Sequence, residues 1–209
     1  MTEPAGGRPP FDAVLCDVDN VVRTFDSSGV TALERAAGLA EGTTAKIGFA
    51  PETVLPALRG EITPQEWVAA IAEGLAGLLE DETAAWELGS ALLESPFRAD
   101  ETVVALLRRA RIRVPVVLVS NAMLGLEADL DSLGLNDLAD DVVNSARVGI
   151  AKPDPRILEL AAARVRVRPE RCLFVDDGAE NVEAAAALGM RAVRYRGPAD
   201  LEEALQPLF

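Results

Sequence analysis

The sequence predicts an α/β fold: a parallel sheet layered between helices, with a block of helices inserted after the first strand. Three observations predict it. Apolar runs such as Ala13-Val14-Leu15-Cys16 and Val116-Val117-Leu118-Val119 are continuous rather than alternating, so both faces of their sheet are covered. From Ala99 onward, helical and strand patterns alternate, which implies right-handed crossovers between parallel strands. Between the first strand and that alternation, Ser28 to Leu93 holds several helical patterns and no convincing strand, and so reads as an insertion.

In order, Met1 to Pro10, with its Gly-Gly and Pro-Pro pairs, reads as a frayed tail, and the first strand covers about Ala13 to Asp17. The inserted block opens with a helix over Val30 to Leu39 and a second over Pro51 to Leu58, where proline stands at a helix start. Thr63-Pro64-Gln65-Glu66 is a capped start, with an acid three residues after the threonine. It opens a helix carrying Trp67, Ile71, Leu75 and Leu78 on one face. Asp81 to Leu93 is a fourth helix with Trp86 turned inward, and both tryptophans read as core packing. Ser95-Pro96-Phe97 ends the block. Then follow a helix (Ala99 to Arg109), a strand (Val114 to Val119), a helix (Leu124 to Leu133) and a short strand (Asp141 to Asn144). A helix (Pro155 to Val165), a strand (Cys172 to Val175), an alanine-rich helix (Glu180 to Leu188), a strand (Ala192 to Tyr195) and a closing helix (Leu201 to Leu205) complete the chain. The division expected is a core of residues 1–24 and 98–209 with residues 25–97 as a helical cap.

Composition narrows the chemistry. With 209 residues, 49% of them hydrophobic and 26% charged, the chain can bury a sizeable core. A net charge of −14 argues against nucleic acid or an anionic membrane surface as partner. An anionic substrate would then need a metal or a few local cations as counter-charge. No histidine is present, which removes Ser-His-Asp and Cys-His nucleophiles and His-ligated zinc. Acid–base work must fall to carboxylates, lysine or tyrosine. Cys16 and Cys172 lie in or beside apolar runs and read as buried, reduced thiols. No run of about 18 apolar residues occurs and no charged-then-apolar leader opens the chain, so a cytoplasmic location is expected.

Four polar clusters each end an apolar run: Asp17-Val18-Asp19, Ser120-Asn121, Lys152-Pro153-Asp154 and Asp176-Asp177. In an open α/β sheet the carboxyl ends of the strands are where ligands bind. Gathered there, Asp17, Asp19, Asp176 and Asp177 form an acidic nest that a cation must stabilise. Oxygen ligands without His or Cys select Mg²⁺, commonly completed by phosphate oxygens. Lys152 can neutralise a nucleophilic carboxylate and a phosphoryl group together, and Ser120 can donate to a phosphoryl oxygen. An aspartate is a competent nucleophile toward phosphorus, and a second acid two residues on can protonate the leaving alkoxide and later activate water.

With these four motifs the chain resembles the haloacid dehalogenase (HAD) superfamily, specifically phosphohydrolases with a helical cap between the first and second motifs. Asp17-Val18-Asp19 matches the first motif, Val116 to Asn121 the second, and Lys152 in Gly149-Ile150-Ala151-Lys152-Pro153-Asp154-Pro155 the third. Phe174-Val175-Asp176-Asp177-Gly178-Ala179-Glu180-Asn181 matches the fourth, with Gly189-Met190 following. The inserted block resembles relatives only loosely, around Gly60 to Glu66. The resemblance implies a three-layer α/β/α Rossmann-like core and Mg²⁺-dependent hydrolysis of a small phosphorylated metabolite through an aspartyl-phosphate, by a monomer or homodimer. It further implies Asp17 as nucleophile and metal ligand, and Asp19 as acid/base that also lends the metal its backbone carbonyl. Ser120 and the Asn121 backbone would hold phosphate while Lys152 bridges charges. Asp177 is expected to ligate the metal directly and Asp176 through water, with Asn181 orienting their loop.

Asn20 departs from the pattern, since most relatives have glycine there; asparagine accepts a left-handed backbone, so the geometry is expected to survive. Other readings are a phosphomutase using the same two acids, a phosphonatase or dehalogenase-branch hydrolase, and a HAD-like module without turnover. Retention of Asp19 argues against the dehalogenase branch, because cleaving a carbon–halogen bond leaves no alkoxide to protonate. A response-regulator receiver also pairs acids with a lysine, but the insertion and the place of Asp19 argue against it. Lys46, the one other lysine, sits in Gly42-Thr43-Thr44-Ala45 surroundings that read as an exposed loop. Arg23 can reach the cleft between block and core or form an ion pair.

Overall fold

Strand β1 (Ala13–Cys16) lies at the centre of the molecule's main sheet in the computed structural model, which describes residues 9–79 and 81–209. Residues 1–8, most of the expected frayed tail, lie outside the described residues. After β1 comes a short strand β2 (Arg23–Phe25). Five helices follow: α1 (Ser28–Ala36), α2 (Thr43–Gly48), α3 (Pro51–Leu58), α4 (Pro64–Leu75) and α5 (Glu82–Leu93). The chain returns through β3 (Phe97–Ala99), antiparallel to β2. It then alternates through α6 (Glu101–Arg111), β4 (Val116–Ser120), α7 (Leu126–Ser132) and β5 (Asp141–Asn144). The remainder is α8 (Ser145–Val148), α9 (Pro155–Arg164), β6 (Cys172–Asp176), α10 (Ala179–Ala187), β7 (Arg191–Arg194) and α11 (Pro198–Leu205).

The five-stranded sheet runs β5-β4-β1-β6-β7, every pair parallel. Pairing of Cys16 with Leu118 on one side and Val175 on the other brings the carboxyl ends of β1, β4 and β6 level. Strand order reverses at β1, the topological position where open α/β sheets bind ligands. Alternate residues of the central strands face opposite layers. Val14, Cys16, Val116, Leu118, Leu173 and Val175 pack with Val103, Leu107, Leu201 and Leu205 of α6 and α11. Ala13, Leu15, Val117, Val119, Cys172 and Phe174 pack with Ile157, Leu158 and Ala161 of α9 and Ala185 of α10. The continuous apolar runs follow from this: a strand covered on both faces has no place for a polar alternate. Each fully buried Leu or Phe contributes about 1.5–3 kcal/mol.

The inserted helices surround a separate cluster of Val30, Ala57, Trp67, Ile71, Leu75, Ala85 and Leu88. Met123, from the loop after β4, packs against it, so the two parts of the chain meet beside the second motif. The Thr63–Glu66 capping box forms as expected, with the Thr63 amide donating to Glu66 Oε2 at 2.7 Å and the Glu66 amide to Thr63 Oγ1 at 3.2 Å. Among the described residues, no helix is long and apolar enough to cross a membrane.

Several expectations need correction. Trp86 is 49% exposed rather than inward, because the buried stripe of α5 is Ala85, Leu88 and Gly89, and position 86 lies about a third of a turn away. Leu78 falls beyond the end of α4 and is exposed. Lys46 lies on a helix, α2, with its side chain exposed as expected. The short strands β2 and β3 and the helices α2 and α8 have no counterpart in the sequence reading.

Candidate active site

Three adjacent strand ends deliver the site. β1 stops at Cys16, and the chain turns so that the Asp17 amide still donates to the Val175 carbonyl of β6 at 2.9 Å. β4 ends on Ser120 and β6 on Asp176. Lys152 arrives from the loop before α9, and its backbone is fixed by one side chain. Asn121 Nδ2 donates to the Lys152 carbonyl at 2.8 Å, and the Lys152 amide donates to Asn121 Oδ1 at 2.7 Å. The Asn121 side chain is thereby spent on positioning Lys152, leaving only its backbone for a ligand.

The Lys152 ammonium is buried and all three of its donors are engaged. It lies 2.8 Å from Asp17 Oδ1 and 2.6 Å from Asp176 Oδ2, and donates to the Val119 carbonyl at 2.9 Å. Asp17 Oδ1 also accepts from the Val18 amide at 2.7 Å. Asp176 Oδ1 accepts from the Gly178 amide at 2.8 Å and from Asn181 Nδ2 at 2.9 Å. Asn181 therefore orients the loop through Asp176 and not through its neighbour. Gly178 leaves room for this pair: a Cβ there would stand 2.8 Å from Asn181 Nδ2 and 3.0 Å from Asp176 Oδ1, so those side chains would have to shift.

Asp177 is tied to the first motif by Asn20, whose Nδ2 donates to Asp177 Oδ2 at 3.1 Å. Asn20 has φ +63°, the left-handed backbone that asparagine tolerates better than other side chains, as expected at this position. Asp17, Asp176 and Asp177 each offer a carboxylate oxygen within 4.8 Å of the others. Three carboxylates against one ammonium leave an excess of negative charge, with oxygen the only ligand type. That donor set fits Mg²⁺.

Electrostatics follow from burial. Desolvation pushes the Asp17 carboxyl above the usual aspartate range, against the pull of Lys152, and Asp176 adds to the rise. Burial alone would lower the Lys152 ammonium, but Asp17 and Asp176 outweigh it and hold it charged. Ser120 Oγ is fully buried at the end of β4 and finds no hydrogen-bond partner among the described residues. An unpaired buried hydroxyl costs a fold about 1–3 kcal/mol. The free thiols Cys16 and Cys172 are buried, and burial raises both above the usual thiol range, as expected of inert packing residues.

The Asp19 carboxylate stands outside the three-acid group. It accepts from Arg23 Nε at 2.6 Å, and Arg23 Nη1 lies 2.7 Å from Asp129 Oδ2 on α7. The structure therefore brings together Asp17, Lys152, Asp176, Asp177, Asn20 and Asn181, sets Ser120 and Asn121 at the neighbouring strand end, and holds Asp19 on an ion pair. The sequence carries no sign of Asp129, and it places Gly178 and Val119 within motifs without showing the amide and carbonyl contacts they make. Gly178, next to paired acids, had a readable signal; the Asp129 and Val119 contacts are defined only by the fold.

A family model described as haloacid dehalogenase-like hydrolase matches residues 11–189. Phosphatase MT3486 of Mycobacterium tuberculosis is 39% identical over 85 residues, covering 41% of this chain and 39% of that protein. Fructose-1-phosphate phosphatase YqaB of Escherichia coli is 40% identical over 70 residues, covering 34% of this chain and 37% of that protein. The chain thus spans less than half the length of either curated relative in its match. A HAD-family enzyme of Bacteroides thetaiotaomicron, solved with magnesium and inorganic phosphate, superimposes with a TM-score of 0.64 at 20% identity, covering 86% of this chain and 91% of that one. An L-2-haloacid dehalogenase of Xanthobacter autotrophicus with chloropropionic acid covalently bound gives a TM-score of 0.61 at 22% identity, covering 86% and 75%. At these identities the structural likeness shows the fold.

Proposed function

Because the chain belongs to the haloacid dehalogenase-like hydrolase family, we propose that it is a Mg²⁺-dependent phosphatase that hydrolyses a small phosphorylated metabolite through an aspartyl-phosphate intermediate. The observation that carries this reading is the buried Lys152 ammonium held between Asp17 and Asp176, with the Asp177 carboxylate alongside. Phosphatase names among the curated relatives, and a structural neighbour solved with magnesium and inorganic phosphate, support the same reading. We take residues 25–97 to be the cap that selects the substrate, and the enzyme to act in the cytoplasm without nucleic acid or membrane as partner.

Asp17 and Asp177 would hold Mg²⁺ directly, with the Asp19 backbone carbonyl. Asp176 would reach it through water, since both of its oxygens already accept hydrogen bonds from Lys152, Gly178 and Asn181. When bound, the ion supplies positive charge to the phosphoryl oxygens. Among the described residues, no hydrogen bond reaches Asp17 Oδ2, because Lys152 and the Val18 amide both take Oδ1. Oδ2 attacks phosphorus; the phosphorus–ester bond breaks with its electron pair going to the ester oxygen. Asp19 gives that oxygen a proton, releasing the alcohol. Water then attacks phosphorus and yields its proton to Asp19, and the bond to Asp17 breaks, releasing phosphate. Ser120 Oγ and the Asn121 amide hold the phosphoryl oxygens, and Lys152 offsets the charge of phosphoryl group and carboxylate together.

Retention of Asp19 favours this reading over the dehalogenase branch. In Mg²⁺ buffer the protein is expected to release phosphate from p-nitrophenyl phosphate, to stop on EDTA and to resume when Mg²⁺ is restored. Asp17→Asn is expected to lose at least about 10³-fold in kcat while its circular dichroism stays unchanged. Substantial residual turnover, or indifference to the chelator, would overturn the reading.

A further inference from the structure

Arg23 is the first residue of β2, and only 4% of its surface is exposed. A buried arginine in a chain of this kind must be paired, and it is paired in two directions at once. Its Nε meets Asp19 Oδ1 at 2.6 Å and its Nη1 meets Asp129 Oδ2 at 2.7 Å. The face of the guanidinium is held as well: its centre lies 4.9 Å from the Phe25 ring and 4.8 Å from the Phe97 ring. Phe25 is on β2 and Phe97 on β3, the paired strands through which the chain enters and leaves the inserted helices. The backbone closes the same turn, with the Arg23 amide donating to the Val18 carbonyl at 3.0 Å and the Asn20 amide to the Arg23 carbonyl at 2.8 Å.

We propose that Arg23 is a positioning residue for the Asp19 carboxylate, setting its place from the strand pair that carries the inserted helices. The guanidinium neither gives nor takes a proton. Two rings and Asp129 fix it, and its planar fork then fixes Asp19 with little freedom left to lose. The location of the acid/base therefore follows β2 and β3, whereas the nucleophile Asp17 follows β1 and Lys152. This proposal rests on the reading of Asp19 as proton donor to the leaving oxygen.

The test compares two substrates of similar size that differ in their need for that proton. The nitrophenolate of p-nitrophenyl phosphate departs without protonation; the phenolate of phenyl phosphate is the poorer leaving group. Asp19→Asn, Arg23→Gln and the double variant are measured in Mg²⁺ buffer, and Asp129→Asn serves as a milder variant. A general acid is worth roughly 10²–10⁴-fold, most of it on the poorer leaving group. Arg23→Gln is expected to lower kcat for phenyl phosphate at least about fivefold more than for p-nitrophenyl phosphate, with KM nearly unchanged, and to cost nothing further in the Asp19→Asn background. Asp129→Asn is expected to show the same selective loss at smaller size, and it carries the test if Arg23→Gln fails to fold.

Equal losses on both substrates, or an Arg23→Gln loss that persists undiminished beside Asp19→Asn, would overturn the proposal and leave the acid assignment standing. If Asp19→Asn itself leaves the ratio of the two substrates unchanged, the acid assignment falls, and the proposal with it.

Discussion

A hydroxyl sealed into the end of a sheet is a cost to the fold when it finds no partner, and Ser120 finds none among the described residues. Removing it should therefore separate function from stability. Ser120→Ala is expected to leave the melting temperature unchanged or slightly raised, while kcat/KM for p-nitrophenyl phosphate falls roughly 10- to 100-fold, the worth of one or two hydrogen bonds to a charged group. A lower melting temperature with full activity would instead make the hydroxyl a structural group. At this scale, the residues legible in the sequence were those whose chemistry is unusual for their place. Asp17, Asp176 and Asp177 are acids at the ends of apolar runs, and Lys152 is one of two lysines in the chain. Asn20 was legible as a left-handed position because few other side chains tolerate one. Arg23 was legible as a residue that could form an ion pair, but its partner Asp129 was not, because aspartate is ordinary on a surface and only the fold brings the two within 2.7 Å across 106 residues.

Among the elements, α2 shows how a segment can fold against its own composition. Gly42, at its N-terminus, offers no side-chain cap, and Gly42-Thr43-Thr44-Ala45 reads as a loop. The missing cap is supplied from α1: Glu34 Oε2 accepts from the Gly42 amide and Oε1 from the Thr44 amide, each at 2.7 Å. Burial alone would raise the Glu34 carboxyl, but these amide bonds outweigh it and hold it below the ordinary glutamate value. A depressed folded-state value means stability that is present above the unfolded pKa and lost as pH falls through the folded one. Glu34→Gln is thus expected to cost about 1–2 kcal/mol at neutral pH, by denaturant unfolding, and the gap from wild type should narrow below about pH 4. A pH-independent gap would place the effect in packing alone. The strands β2 and β3 escaped the sequence reading for a related reason: three residues each carry too little pattern, and their pairing closes over the whole inserted block. Strands with both faces buried were legible, β6 to within one residue at its end and β4 to within two. Trp86 lies off the buried face because that face of α5 is formed by alanine, leucine and glycine, whose phase one aromatic side chain does not reveal.

Over the whole molecule, the arrangement that matters is the level alignment of β1, β4 and β6 at the centre of the sheet, which places motifs from positions 17, 120, 152 and 176 around one point. Continuous apolar runs and alternating helices made that alignment foreseeable, and Arg23 was foreseen at the cleft between insertion and core; the contact of Met123 with the inserted helices was not. A chain with a net charge of −14 that gathers three of its carboxylates at one sheet end would need local cations to hold an anionic ester. Lys152 supplies one, and the donor set of Asp17, Asp176 and Asp177 is fitted to a second. The most direct measurement is chemical capture of the intermediate: protein turning over p-nitrophenyl phosphate with Mg²⁺ is quenched into hydroxylamine, and its peptides are read by mass spectrometry. A hydroxamate on Asp17 and on no other acid is the predicted result. Phosphate release with Asp17 unmodified would contradict the account.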